Sequence, residues 1–229
     1  MATATHPPTL NFHAPYFGMK VVVAHGHGVN ETPCNYTWTS VASTFYASNG
    51  TFEGAGGAFA GPCRGSPNGT GQMLSTGAGF QLFTPGIRIN GTGAHSIEAR
   101  FAASYGASLD VVVPSGNYTT AWALLEIEDG VSLHDLTTNK TVYGLTDQLV
   151  QVFGGYGNSS THLPTGFAKG SSYLNATLVN GHVYVIQVFF EAFVTVTSGL
   201  GFGAAGVVTA TYDFASGGHH ATLLGVLVS

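Results

Sequence analysis

Residues His182–Thr197 constrain this chain more than any other stretch. Tyr184, Ile186, Val188, Phe190, Ala192, Val194 and Val196 occupy every second position and form one uninterrupted apolar face. Between them, Val183, Val185, Gln187, Phe189, Glu191, Phe193 and Thr195 make a mixed face. A helical repeat would spread both classes around its circumference, so this is a long core strand. Val208, Ala210, Tyr212 and Phe214 repeat the alternation against Thr209, Thr211 and Asp213.

Other segments rich in β-branched and aromatic residues are 19–24, 36–46, 72–83, 94–104, 108–113, 119–128, 145–153, 171–179 and 221–228. Clusters of Gly, Pro, Asn and Ser separate them, at 62–71, 114–117 and 154–160 for example. No stretch of helical length has helical periodicity, and Gly at 33 of 229 positions would weaken most helices. The pattern predicts an all-β fold. It is an antiparallel β-sandwich of immunoglobulin-like or jelly-roll type, with about ten or more strands and little or no helix. No linker divides the chain, so residues 17–229 read as one large domain preceded by an N-terminal tail, 1–16. The Gly/His-rich turn before Ala221 predicts that 221–228 pairs locally with 207–214.

Only 7% of residues are charged, against roughly 25% in ordinary soluble domains. Disorder does not account for this, because 44% of residues are hydrophobic and 12% aromatic. The net charge of −5 comes without any basic run, and the six cations are scattered. The electrostatic footprint of nucleic-acid binding is therefore absent. The longest apolar stretch, 183–196, is shorter than the ~20 residues of a spanning helix and contains Gln187 and Glu191. Met1–Pro8 has neither a basic nor an apolar export region, as expected of a mature chain whose signal has been removed.

Asparagine supplies what charge does not. Nine of the eleven asparagines lie in Asn-x-Ser/Thr: Asn30, Asn35, Asn49, Asn68, Asn90, Asn117, Asn139, Asn158 and Asn175. Chance in a chain this rich in Ser and Thr would give about two under the acceptor rule. Glycosylated asparagines lie on exposed surfaces of secreted proteins, which predicts an extracellular protein carrying covalent N-glycans. Asn49, Asn68 and Asn90 each precede Gly-Thr, and Asn-Gly suits a type I′ hairpin turn. No sequon follows Asn175, so the apolar C-terminal stretch is expected to be the most enclosed part of the fold. In an extracellular chain the two cysteines, Cys34 and Cys63, are expected to form a disulfide worth ~3 kcal/mol.

Catalytic and metal signatures are sparse. His25/His27 and His219/His220 are the suggestive histidine groupings, but neither has a carboxylate or thiolate partner in sequence. They are expected in exposed turns, with no metal and no cofactor. Nucleophile-elbow, zincin and P-loop motifs are missing. Glu126 and Glu128 share one side of a strand. Gln187 and Glu191 share the mixed face of the long strand, resembling only in pairing the Gln/Glu arrangement of acid glutamic peptidases. The chain is not expected to be an enzyme.

Leu10, Phe12 and Ala14 alternate with Thr9, Asn11 and His13, a strand pattern flanked by Pro7-Pro8 and Pro15. With low charge, dense sequons and a β-sandwich pattern, the whole chain resembles the subunits of archaeal extracellular threads and similar pili. That resemblance implies a cell-surface filament of identical subunits, polymerised when the N-terminal strand of one completes the sheet of the next. Leu10, Phe12 and Ala14 would then be the subunit-binding residues. The competing arrangement packs the strand along its own sandwich. A surface-layer protein, an adhesin or glycan-binding protein, a viral coat protein and an acid-adapted secreted hydrolase are the alternative functions. Low charge also suits an acidic medium, where carboxylates protonate.

Overall fold

The structure, a computed structural model, describes residues 2–5, 10–12, 19–29, 34–46, 50–63, 73–112, 121–154, 158–198 and 207–229. These residues form two seven-stranded sheets and no helix, a β-sandwich as the alternation requires. Among them no helix is long and apolar enough to cross a membrane.

In the first sheet the central strand is β12 (Val183–Thr197). One flank is covered by β9 (Trp122–Asp135), with β10 (Lys140–Gly154) beyond it at the edge. The other flank is covered in succession by β6 (Met73–Phe83) and β7 (Ile87–Asn90). Thr84 spans the break that Pro85 makes between these two: its N–H donates to Ile186 O at 2.9 Å and its hydroxyl accepts from Ile186 N at 3.0 Å. Beyond lie β3 (Met19–Val29), antiparallel to β6, and β1 (Ala2–Thr5), parallel to β7.

The second sheet is organised on β8 (Gly93–Val112), which pairs on one side with β11 (Ser159–Leu178). Its other side takes β13 (Val207–Asp213) and then β14 (His220–Val228). Next come β5 (Thr51–Cys63) and, at the edge, β4 (Cys34–Tyr46). The short β2 (Leu10–Phe12) pairs with the end of β14.

The expected local hairpin of 207–214 with 221–228 is not formed. β13 and β14 run one after the other along β8, and the chain between them loops out and rejoins the same line. Asp213 holds this loop by accepting N–H bonds from Ala215 and Ser216 at 2.7 and 3.0 Å, while Gly217 and Gly218 take left-handed φ of 64° and 83°. Buried Phe214 anchors the loop to the core.

Alternation puts Phe80 and Phe190 of the first sheet against Phe52 and Phe101 of the second, with ring centroids 5.6–6.5 Å apart. The sequon-free C-terminal stretch supplies some of the interior strands, β12 in one sheet and β13 with β14 in the other. Strands flanked on both edges and buried on one face have little surface on which to carry a sugar. The enclosure is one of strand edges, since Val207 of β13 and Leu224 of β14 keep exposed side chains.

Candidate functional site

The N-terminal segment contributes two strands to its own sandwich. β5 pairs with β14 only at Ala221 and Thr222, which leaves the far end of β14 without that neighbour. There β2 pairs antiparallel, Leu10 with Val228, Asn11 with Leu227 and Phe12 with Val226. Phe12 is 7% exposed and belongs to the core, and half-buried Leu10 packs against it. In the isolated chain the strand thus occupies its own sheet edge, the arrangement that competes with exchange between subunits. Ala14 lies outside the described residues. Residues 2–5 and 10–12, expected within a tail of 1–16, are strands of the two sheets.

Four sequons have described side chains, Asn90, Asn139, Asn158 and Asn175, and all four are exposed. Asn139 closes the β9–β10 turn at a left-handed φ of 54°, a conformation asparagine tolerates better than most residues. Asn90-Gly91 departs from the expected type I′ hairpin. Gly91 has φ 101°, but Asn90 does not share a positive φ, and the turn carries the chain from β7 in one sheet to β8 in the other. Asn180, which is not a sequon, accepts a 2.9 Å bond from Gly91 N at this turn. Asn35 lies on β4, with its side chain outside the described set; Asn30, Asn49, Asn68 and Asn117 are outside the described residues.

Cys34 and Cys63 are direct register partners on β4 and β5. Their side chains, like those of His25 and His27, lie outside the described set. The expected turn around His25 and His27 is instead strand, since β3 continues to Val29 opposite β6. His219 is half-buried against Gly106, and exposed His220 opens β14, its Nδ1 3.0 Å from Gly218 O. No group of three His, Cys, Asp or Glu side chains among the described residues could hold a metal ion.

On the outer face of the first sheet, Glu128 lies directly opposite Glu191, and Glu126 opposite Phe193. Burial pushes the Glu128 carboxyl above its ordinary value, and the charges of Glu126 and Glu191 add to the shift. Glu126 accepts from Gln148 and Gln151 Nε2 at 2.5 and 3.0 Å. Gln187 is separated from Glu191 by Phe189 on the same face, so the two do not converge on one reacting centre. The Gln187 carbonyl lies 2.8 Å from His134 Nε2 and 3.2 Å from Ser132 Oγ, and its amide donates to Gln81 at 3.1 Å. His134 Nδ1 faces Thr141 Oγ1 at 2.9 Å. This network ties β6, β12, β9 and β10 together across the sheet surface. Sequence reading missed it because its members are separated by as much as 106 positions.

No family model matches the chain, and no curated protein matches it. Among solved structures it is similar to the enzymatically active domain of bacteriophage CBA120 tailspike protein 4, at 13% identity and TM-score 0.21 over 83% of this chain. It covers only 19% of that chain. A family 6 carbohydrate-binding module gives 12% identity and TM-score 0.22, covering 91% of this chain and 93% of the module. CsCBM6-3 from Clostridium stercorarium, in complex with cellobiose, gives 11% identity and TM-score 0.21, with 86% and 92% covered. Likenesses at TM-scores this low carry no weight for family or function.

Proposed function

We propose that this protein is a structural subunit of an extracellular, N-glycosylated cell-surface filament, joined to identical subunits by exchange of the N-terminal strand. The observation that carries the reading is the seat of β2. Three residues complete the open end of β14, and Phe12 enters the core there. An open sheet edge beside a buried aromatic requires a cover. A short terminal strand that provides that cover can do so equally for a second copy, since the contacts exchanged are identical.

The surface fits the same role. With 7% charged residues, solubility along a polymer falls to Thr, Ser, Asn and the sugars. The four described sequons are exposed; Asn139 and Asn158 lie outside the strands, and Asn90 is the last residue of β7.

Electron microscopy of native material, beside the chain lacking residues 1–15, tests the proposal. Long fibres that disappear on truncation are expected. Dispersed particles from the native protein, or fibres that survive truncation, contradict it.

A further inference from the structure

Three side chains of β11 alternate outward in a row: Tyr173, Asn175 and Thr177, all exposed. Asn175 and Thr177 are the sequon, and the tyrosine precedes the asparagine by two positions. On a strand that spacing puts ring and amide on one face, about 7 Å apart.

The ring is both exposed and fixed. Tyr173 is 52% exposed, yet its hydroxyl donates to Glu98 Oε1 at 3.1 Å and accepts from Ser171 Oγ at 3.0 Å. Glu98 is itself held by Arg100, whose Nε and Nη2 donate to its two oxygens at 2.9 and 2.8 Å. Holding a large aromatic rigidly in water has no packing benefit within the chain unless something covers its face. On the other side of Asn175, Ala94, Ser96 and Thr177 border a hollow of about 370 Å³. Small side chains there keep the amide clear of protein, and no protein hydrogen bond engages it among the described residues.

We infer that the first sugar of the Asn175 N-glycan packs one C–H face on the Tyr173 ring, with its hydroxyls directed to the Glu98–Arg100 pair. The glycan thereby becomes part of the outer surface of the second sheet. The inference rests on reading Asn175 as glycosylated. A pyranose has the matching chemistry: a flat face of C–H groups for the electron-rich ring, and hydroxyls that both donate and accept. A carboxylate acceptor beside guanidinium donors serves both roles. The same spacing recurs at Tyr156 and Asn158, where Tyr156 lies outside the described residues. None of the other seven sequons has an aromatic residue at that position.

The test is a double-mutant cycle on the full chain made in a glycosylating host, comparing wild type, Y173A, T177A and the double variant. T177A removes the acceptor motif without changing Asn175. Mass spectrometry of the Asn175 glycopeptide comes first. A bare asparagine overturns the glycosylation reading and this inference with it. With the site occupied, Y173A is expected to lower Tm by about 2–4 °C, and by about 1 °C or less once T177A has removed the sugar. Equal losses in both backgrounds overturn the stacking and leave the glycosylation reading standing. Should Y173A fail to fold, Y173F keeps the ring. Wild type and Y173F are then expected to show upfield ring-current shifts of the first sugar's protons, and unshifted protons contradict the contact.

Discussion

Ser172 of β11 donates a 2.6 Å hydrogen bond to Asp129 Oδ1 of β9, joining the two sheets through a carboxyl that is 0% exposed. Burial pushes the Asp129 carboxyl up to about 6; the Ser172 bond opposes the shift and Asp147 of β10, its register partner, reinforces it. Phe190 of β12 faces it from the other flank. A carboxyl raised on folding stabilises the fold fully below its unfolded value of 3.8, and the contribution is lost as pH rises through about 6. In full it is ~3 kcal/mol. Glu128 shifts in the same direction. Hydrogen bonds hold Glu98, Asp110, Asp135 and Asp213 low, and their contributions fade only as pH falls through those lowered values.

Stability should therefore peak in mild acid. Thermal melts are expected to give a Tm several degrees higher at pH 5 than at pH 7.5, with the difference reduced in D129N. A Tm that rises from pH 5 to pH 7.5 would contradict this accounting.

Gly56 on β5 lies opposite buried Tyr212 on β13. A Cβ there would stand 2.6 Å from the tyrosine Oη and 2.7 Å from Cζ, so the ring fills the space of the missing side chain. G56A is expected to destabilise by about 1–3 kcal/mol, the usual cost of overpacking a rigid core. Urea denaturation measures it, and an unchanged midpoint would show that the ring moves freely.

That glycine also explains what the sequence concealed. β12 was legible because its alternation is complete, as were β13 and the outline of β14. β5 was not, since Gly54, Gly56 and Gly57 look like loop residues until Tyr212 is placed across from them. β8 divided in two at Gly106, although the strand runs through it. The whole first half of β11 was missed because an edge strand with Pro164 and both faces partly exposed has no apolar period to read. The sequons were legible from spacing alone. Tyr173 was not, because its value depends on Glu98 across the sheet.

Cys34 and Cys63 face each other in register, so a bond between them would staple β4 to β5 at the sheet edge. Non-reducing peptide mapping is expected to recover the linked pair, and thiol labelling without reductant should be negligible. Reduction should cost ~3 kcal/mol. Quantitative labelling of both thiols in the folded protein would refute the bond.

Most of the nine sequons should carry glycans, Asn90, Asn139, Asn158 and Asn175 among them. Intact-glycopeptide mass spectrometry of native protein decides this. Bare asparagines at most sites would remove the basis for an extracellular coat.

Strand exchange is tested most directly by cross-linking Asn11 to Leu227, register partners on β2 and β14. Cysteines introduced as N11C and L227C should oxidise between subunits in assembled material. A ladder of covalent multimers is expected on a denaturing gel, with each single variant giving none. A double variant that oxidises only within its own chain while the filament stays intact would contradict it.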